Sequence, residues 1–323
     1  MPGGGHHKVA AGQITDDSEM AMCILHALTS HKEMTAFMNR NKLCLYYGMW
    51  KESKPFDIGN TTRASIFKCD TKSPNFELPY KACIKSNGDS QSNSCIMRIT
   101  PMVVFASRLE IMNFKECITA DTQFTHCNKV AIDCTLAYSY LIKCLIKSTG
   151  TFKERAESAL EETVTFISSE LQTKDVKDWY ETALKLGNAT KDDDYNLDSI
   201  RKKVGWCKHG FILSVHFLQT FSSKIEQESP EEISSLYEAV ISDCLALGGD
   251  SDTNGAIVGG VIGAWLGELN LPQMMKDKIF KCKVATKGAT SRPQFLQTKH
   301  CLDGLLKSLI TLKNSLPETI EIK

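Results

Sequence analysis

Apolar residues recur at helical spacing along most of the chain, with polar residues on the intervening faces. The pattern predicts a helix opening at Thr15 or Asp16 and running to about His31, and a second from Glu33 to about Tyr47. Residues 53–63 read as a turn with a cap leading into a short helix. Helical spacing is clearest over Phe114–Thr125, Lys129–Ser148, Phe152–Leu171 and Val176–Leu186, then over 206–221, 231–247, 254–268, 272–283 and 295–313. Ser229-Pro230-Glu231-Glu232 is a helix start, with proline at the first helical position. The apolar stretch Met97–Ser107 suits strand or helix; Pro101 argues against a central strand and fits a first helical turn. Three stretches lack the pattern. Residues 1–13 are glycine-rich and irregular, Cys69–Ser94 is a long polar segment broken by Pro74, Pro79 and Asn87-Gly88, and 187–203 is a polar loop. The tail Thr319–Ile322 is expected to be extended. Strand signals are otherwise sparse and no repeat occurs, so the expected fold is all-α, with residues 1–323 forming a single domain.

Composition narrows the function classes. Thirty-eight basic residues balance 38 acidic ones, so no net charge argues for a nucleic-acid or membrane-surface partner. No apolar run reaches the length of a membrane span. The 13 cysteines are scattered through predicted helices without a C-x-x-C pair, which argues against a zinc knuckle. Free thiols in a reducing cytosol or nucleus are the simplest account.

The densest chemistry lies in Gly248–Gly267, GGDSDTNGAIVGGVIGAWLG. Asp250 and Asp252 follow a Gly-Gly turn, Thr253 adds a hydroxyl, and an apolar run begins at Gly255. Gly255, Gly259, Gly263 and Gly267 recur every fourth residue, with Ala256, Gly260 and Ala264 beside them. On a helix they form a face almost without side chains, which a neighbouring backbone can approach. Acids at a helix start also serve as caps and suit its dipole. A second cluster of the same kind, Ile14-Thr15-Asp16-Asp17-Ser18-Glu19, directly precedes the apolar helix Met20–Leu28. Together the clusters offer four carboxylates and several hydroxyls, hard oxygen donors that suit Mg²⁺, Mn²⁺ or Ca²⁺ better than zinc.

Four stretches in order resemble the ADP-ribosylglycohydrolase family, which includes dinitrogenase reductase-activating glycohydrolases and the enzymes that remove ADP-ribose from arginine or serine. Thr15-Asp16-Asp17-Ser18 resembles its T-D-D-[TS] motif. Ser86-Asn87-Gly88 with Met97-Arg98 and Pro101 resembles S-N-G…M-R-x-x-P, although residues 89–96 separate the halves where the family often has one or two residues. Phe124-Thr125-His126 resembles the family's T-H, and Gly248–Ile257 its G-G-D-[TS]-D-T-x-x-A-I. Asp57–Thr62 and Gly205-Trp206 are weaker echoes.

The resemblance implies a compact, orthogonal all-α bundle, a monomer, around a site for two Mg²⁺ ions, with Mn²⁺ as a substitute. It implies cleavage of the bond from C1″ of the distal ribose of ADP-ribose to a modified group, on a protein or a small molecule, through an oxocarbenium-like state. By the same resemblance, Thr15, Asp16, Asp17, Asp250, Asp252 and Thr253 are the metal ligands. One of the four aspartates is the general base for the attacking water, and the two clusters are expected to converge on one centre. Asn87, Gly88 and His126 are the implied substrate-binding residues; Arg98 meets a phosphate or makes a structural salt bridge.

One departure is that the family's opening helix with G-D-x-x-G, and a following loop with a functional glutamate, precede T-D-D by tens of residues, whereas here the motif begins at Thr15. A chain without them is expected to be marginally stable and weakly active or inactive. Three functions therefore compete: a magnesium-dependent hydrolase, a catalytically impaired ADP-ribose binder, and a structural member of the family. The six intact ligand positions favour the first; the missing segment favours the others.

Overall fold

A computed structural model describes residues 3–322, except for 6, 31–36, 187–196, 226–228 and 286. Fourteen α-helices run through the described residues. They are α1 (Asp16–Thr29), α2 (Arg40–Glu52), α3 (Asn60–Ile66), α4 (Glu77–Ser86), α5 (Thr100–Ala106), α6 (Ile111–Thr122) and α7 (Lys129–Lys147). There follow α8 (Phe152–Glu170), α9 (Lys174–Lys185), α10 (Cys207–Ser222), α11 (Pro230–Ala246), α12 (Ser251–Leu266), α13 (Gln273–Phe280) and α14 (Thr298–Ser315). The only sheet among the described residues pairs β1 (Phe37–Met38) with β2 (Glu321–Ile322) in parallel. None of the helices among these residues is long and apolar enough to cross a membrane.

The helices group into two compact units. The first comprises Met1–Ser90, Arg98–Cys127 and Gln273–Lys323; the second comprises Gln91–Met97 and Asn128–Pro272. In the first unit α1 is central. It buries Met20, Met22, Cys23, Ile24, Leu25, Ala27 and Leu28 against α2, α5 and α14. In the second, α7 and α10 are buried on nearly all sides, and α12 packs against α7, α8, α10 and α11.

Several boundaries differ from the sequence expectations for local reasons. The second helix starts at Arg40 because Asn39 caps it, its side-chain oxygen accepting from the Lys42 N–H at 3.1 Å. The expected start at Glu33 and the end of the first helix at His31 lie outside the described residues, as does most of the 187–203 loop. The polar segment 69–94 is not a continuous loop, since it contains α4. Pro79 sits in the first turn of α4, where its missing N–H has no intrahelical bond to make. Within Met97–Ser107, Thr100–Ala106 forms helix rather than strand, with Pro101 in the first turn of α5. The tail is extended at Glu321–Ile322, as expected.

The glycine stripe of α12 needs a larger correction. The fully buried face is the aliphatic one: Ile257, Val258, Val261, Ile262, Trp265 and Leu266. The small residues are only half-buried, and their neighbours are side chains of α11 rather than a backbone. A Cβ at Gly259 would lie 2.9 Å from the Tyr237 hydroxyl, one at Gly255 would lie 3.4 Å from Leu245, and one at Gly263 would meet nothing within 4 Å.

Candidate active site

Among the described residues, four helices start on a conventional side-chain cap, while others, such as those behind Glu110 and Thr173, start without one. Asn39, Asn128, Thr151 and Ser229 each accept a backbone N–H of the following turn. The two acidic motifs do not. Thr15 is the N-cap of α1, yet its hydroxyl donates to Asp17 Oδ2 at 2.7 Å and accepts no N–H of the turn. Asp250 is the N-cap of α12, yet its carboxylate makes no cap bond either. It accepts from the Thr253 hydroxyl at 3.0 Å on Oδ1 and from the Asn93 amide at 2.7 Å on Oδ2. In both motifs the side-chain oxygens are turned towards one another.

In the second unit, the backbone brings these groups together. Gly248 and Gly249 have φ of 75° and 72°, the left-handed region that favours glycine. A Cβ on Gly249 would lie 2.6 Å from the Ile200 carbonyl oxygen, so the Gly-Gly turn is required for Asp250 to reach the start of α12. Asp250 is half-buried and Asp252 exposed. Burial raises the Asp250 carboxyl above the ordinary aspartate value; the Asn93 hydrogen bond pulls it back, and the adjacent Asp252 pushes it up again. Gly205, of the weaker Gly205-Trp206 echo, lies beside this cluster, its Cβ position 3.6 Å from Asp250 Oδ2.

Asn93 escaped the sequence reading. The Asn93 N–H donates to the Gly205 carbonyl at 2.8 Å, the Cys207 N–H donates to the Gln91 carbonyl at 2.9 Å, and the Trp206 indole donates to Gln91 Oε1 at 2.8 Å. These bonds hold Asn93 at Asp250. The signal was present in the spacing: Ser92-Asn93-Ser94 stands two residues before Met97-Arg98, the short separation that Ser86-Asn87-Gly88 lacks.

In the first unit, Asp17 is buried and Thr15 and Asp16 are half-buried at the start of α1. Glu19, the third acid of that turn, is committed elsewhere. It is buried in an ion pair with Arg292, at 2.6 and 2.8 Å, and accepts from the Trp50 indole at 2.8 Å. Burial raises its carboxyl, and Arg292 opposes the rise. Asn87 uses its amide hydrogens on the carbonyls of Thr61 and Thr125, both at 2.9 Å, while Gly88 is exposed. His126 is fully buried, with Nδ1 2.8 Å from the Thr125 hydroxyl. That hydroxyl accepts from Arg98 at 2.9 Å, and Arg98 pairs with Asp121 at 3.0 Å, both fully buried. Arg98 is thus the structural salt bridge of its two sequence readings. This network ties three motif segments together inside the first unit.

Among the described residues, no three His, Cys, Asp or Glu side chains gather as a metal-holding group. Each cluster taken alone supplies two carboxylates and a threonine hydroxyl. Both donor sets are hard oxygens, which fit Mg²⁺ or Mn²⁺.

The sequence model of the ADP-ribosylglycohydrolase family matches residues 1–307. The chain belongs to the ADP-ribosylglycohydrolase family. It is 25% identical over 295 residues to a protein of Acanthamoeba polyphaga mimivirus named as an ADP-ribosyl glycohydrolase, covering 87% of this chain and 79% of that one. It is 23% identical over 284 residues to the ADP-ribosylarginine hydrolase Tri1 of Serratia proteamaculans, covering 86% of this chain and 66% of that one. Among solved structures, an ADP-ribosylglycohydrolase-related protein complex superposes with a TM-score of 0.63 at 18% identity, over 97% of this chain and 86% of that chain. That likeness places the helical architecture in the same fold. ADP-ribosylglycohydrolases are enzymes, and the T-D-D and G-G-D-S-D-T motifs of this one open α1 and α12.

Proposed function

We propose that this ADP-ribosylglycohydrolase removes ADP-ribose from modified protein side chains by hydrolysis that depends on divalent cations. The observation that carries the reading is the pair of acidic clusters at the starts of α1 and α12, where the Thr15 hydroxyl donates to Asp17 and the Asp250 carboxylate accepts from Thr253 and Asn93. Thr15, Asp16, Asp17, Asp250, Asp252 and Thr253 would hold two Mg²⁺ ions, which supply Lewis-acid polarisation of the oxygens they bind. The reading requires both clusters for cation binding. In the second unit Asn93 and Thr253 fix the orientation of the Asp250 carboxylate through its two oxygens. One of the four aspartates would accept a proton from the water that attacks C1″, while the bond from C1″ to the side-chain nitrogen or oxygen breaks with its electron pair on that atom, which takes up a proton. The named activity of the Serratia relative makes arginine-linked ADP-ribose the first substrate to try.

Release of ADP-ribose from ADP-ribosylated arginine and serine proteins, followed with Mg²⁺ and with EDTA, tests this. Release is expected with Mg²⁺ and not with EDTA, and Asp250→Asn is expected to reduce it at least a hundredfold. Release that EDTA leaves unchanged would defeat the cation requirement, and no release from either protein would defeat the hydrolase reading.

A further inference from the structure

Asn254 is out of pattern. It lies in the first turn of α12 and continues the face of Ile257, Val258 and Val261, all fully buried. The helical period asks for an apolar residue there. The chain instead buries an amide that is 2% exposed, and among the described residues its Oδ1 has no hydrogen-bond partner. A buried acceptor without a donor destabilises a fold, whereas an apolar residue there would carry no such penalty. The Asn254 N–H donates to the Asp250 carbonyl at 2.8 Å, so Asn254 sits one turn below Asp250 on the same face, next to Thr253. Both Asp250 oxygens already accept from protein donors, Thr253 and Asn93.

We infer that Asn254 is a positioning residue of the α12 acidic cluster, its Oδ1 accepting a hydrogen bond from a water held at that cluster when a divalent cation is bound. The inference rests on the cation reading above. Asn254 orients the water and leaves the cation to Asp250, Asp252 and Thr253. Its effect passes through the geometry of the bound shell, the class of contact whose loss typically weakens metal affinity about ten- to a hundredfold.

The test uses Mg²⁺ alone as ligand, read by calorimetric titration and by melting with and without the ion. Asn254→Leu removes the acceptor and is expected to raise the Kd for Mg²⁺ about ten- to a hundredfold. Asn254→Asp keeps an acceptor and is expected to keep the Mg²⁺-induced rise in melting temperature. Should Asn254→Leu fail to fold, Asn254→Ala removes the same oxygen with less bulk, and the same increase in Kd is required of it. A wild-type Kd in the leucine or alanine variant overturns this inference alone. A wild-type chain with no Mg²⁺ response overturns the cation reading, and this inference with it.

Discussion

Arg98 and Asp121 are both fully buried, and the Tyr47 hydroxyl and the Thr125 hydroxyl complete their hydrogen bonding. Removing one member of such a pair leaves an unpaired charge in the interior. Asp121→Ala is therefore expected to cost about 3–5 kcal/mol in chemical denaturation, and Tyr47→Phe, which removes one hydrogen bond to a charged group, about 1.5–3 kcal/mol. Equal, small effects would mean that water reaches the pair. His209 sets a pH dependence in the second unit. It is buried, its Nε2 lies 2.8 Å from the Lys202 carbonyl, and burial holds it below the ordinary histidine value. Because its folded form binds a proton less readily than the unfolded form, its contribution is full above the unfolded value of about 6.5 and is lost progressively as pH falls below it. Melting temperature is expected to drop between pH 7 and pH 5, and the drop to be shallower in His209→Gln. The salt bridge was one of two readings the sequence left open for Arg98, whereas the role of His209 was not legible, because a lone histidine in a sequence carries no sign of what surrounds it.

At the scale of the element, α12 separates two glycines that look alike in sequence. Gly259 faces the Tyr237 hydroxyl at 2.9 Å from its Cβ position, and Gly263 faces open space. Gly259→Leu is expected to cost about 1–3 kcal/mol by overpacking against α11. Gly263→Ala meets no neighbour and is expected to stabilise by up to about 1 kcal/mol through helix propensity. Thermal melts of the two variants check both, and destabilisation by Gly263→Ala would show a contact at that position. The four-residue spacing predicted a small-residue face correctly, but periodicity does not say whether such a face meets a backbone, a ring or water. Long helices with an apolar stripe, such as α7 and α8, were legible to within a residue or two. The helix α4 was not, because it buries only Pro79 and Cys83 and so carries no stripe to read.

Across the whole molecule, the acidic motifs are separated by more than 200 positions, and their kinship was legible because each places oxygens at a helix start. The family and its helical architecture followed from motif order. Asn93 was missed despite its spacing to Met97-Arg98, since Asn87-Gly88 matched the motif's residues better, and the fold shows that Asn93 is the asparagine that touches Asp250. The proposed hydrolysis needs the acidic clusters to hold divalent cations and those cations to serve ADP-ribose. Calorimetric titration of the chain with Mg²⁺, and then with ADP-ribose, measures this directly. The wild-type protein is expected to bind Mg²⁺, and to bind ADP-ribose tightly only when Mg²⁺ is present. Asp16→Asn/Asp17→Asn and Asp250→Asn/Asp252→Asn are each expected to remove the Mg²⁺ heat. Unchanged Mg²⁺ binding in either double variant, or ADP-ribose binding indifferent to Mg²⁺, would contradict the account.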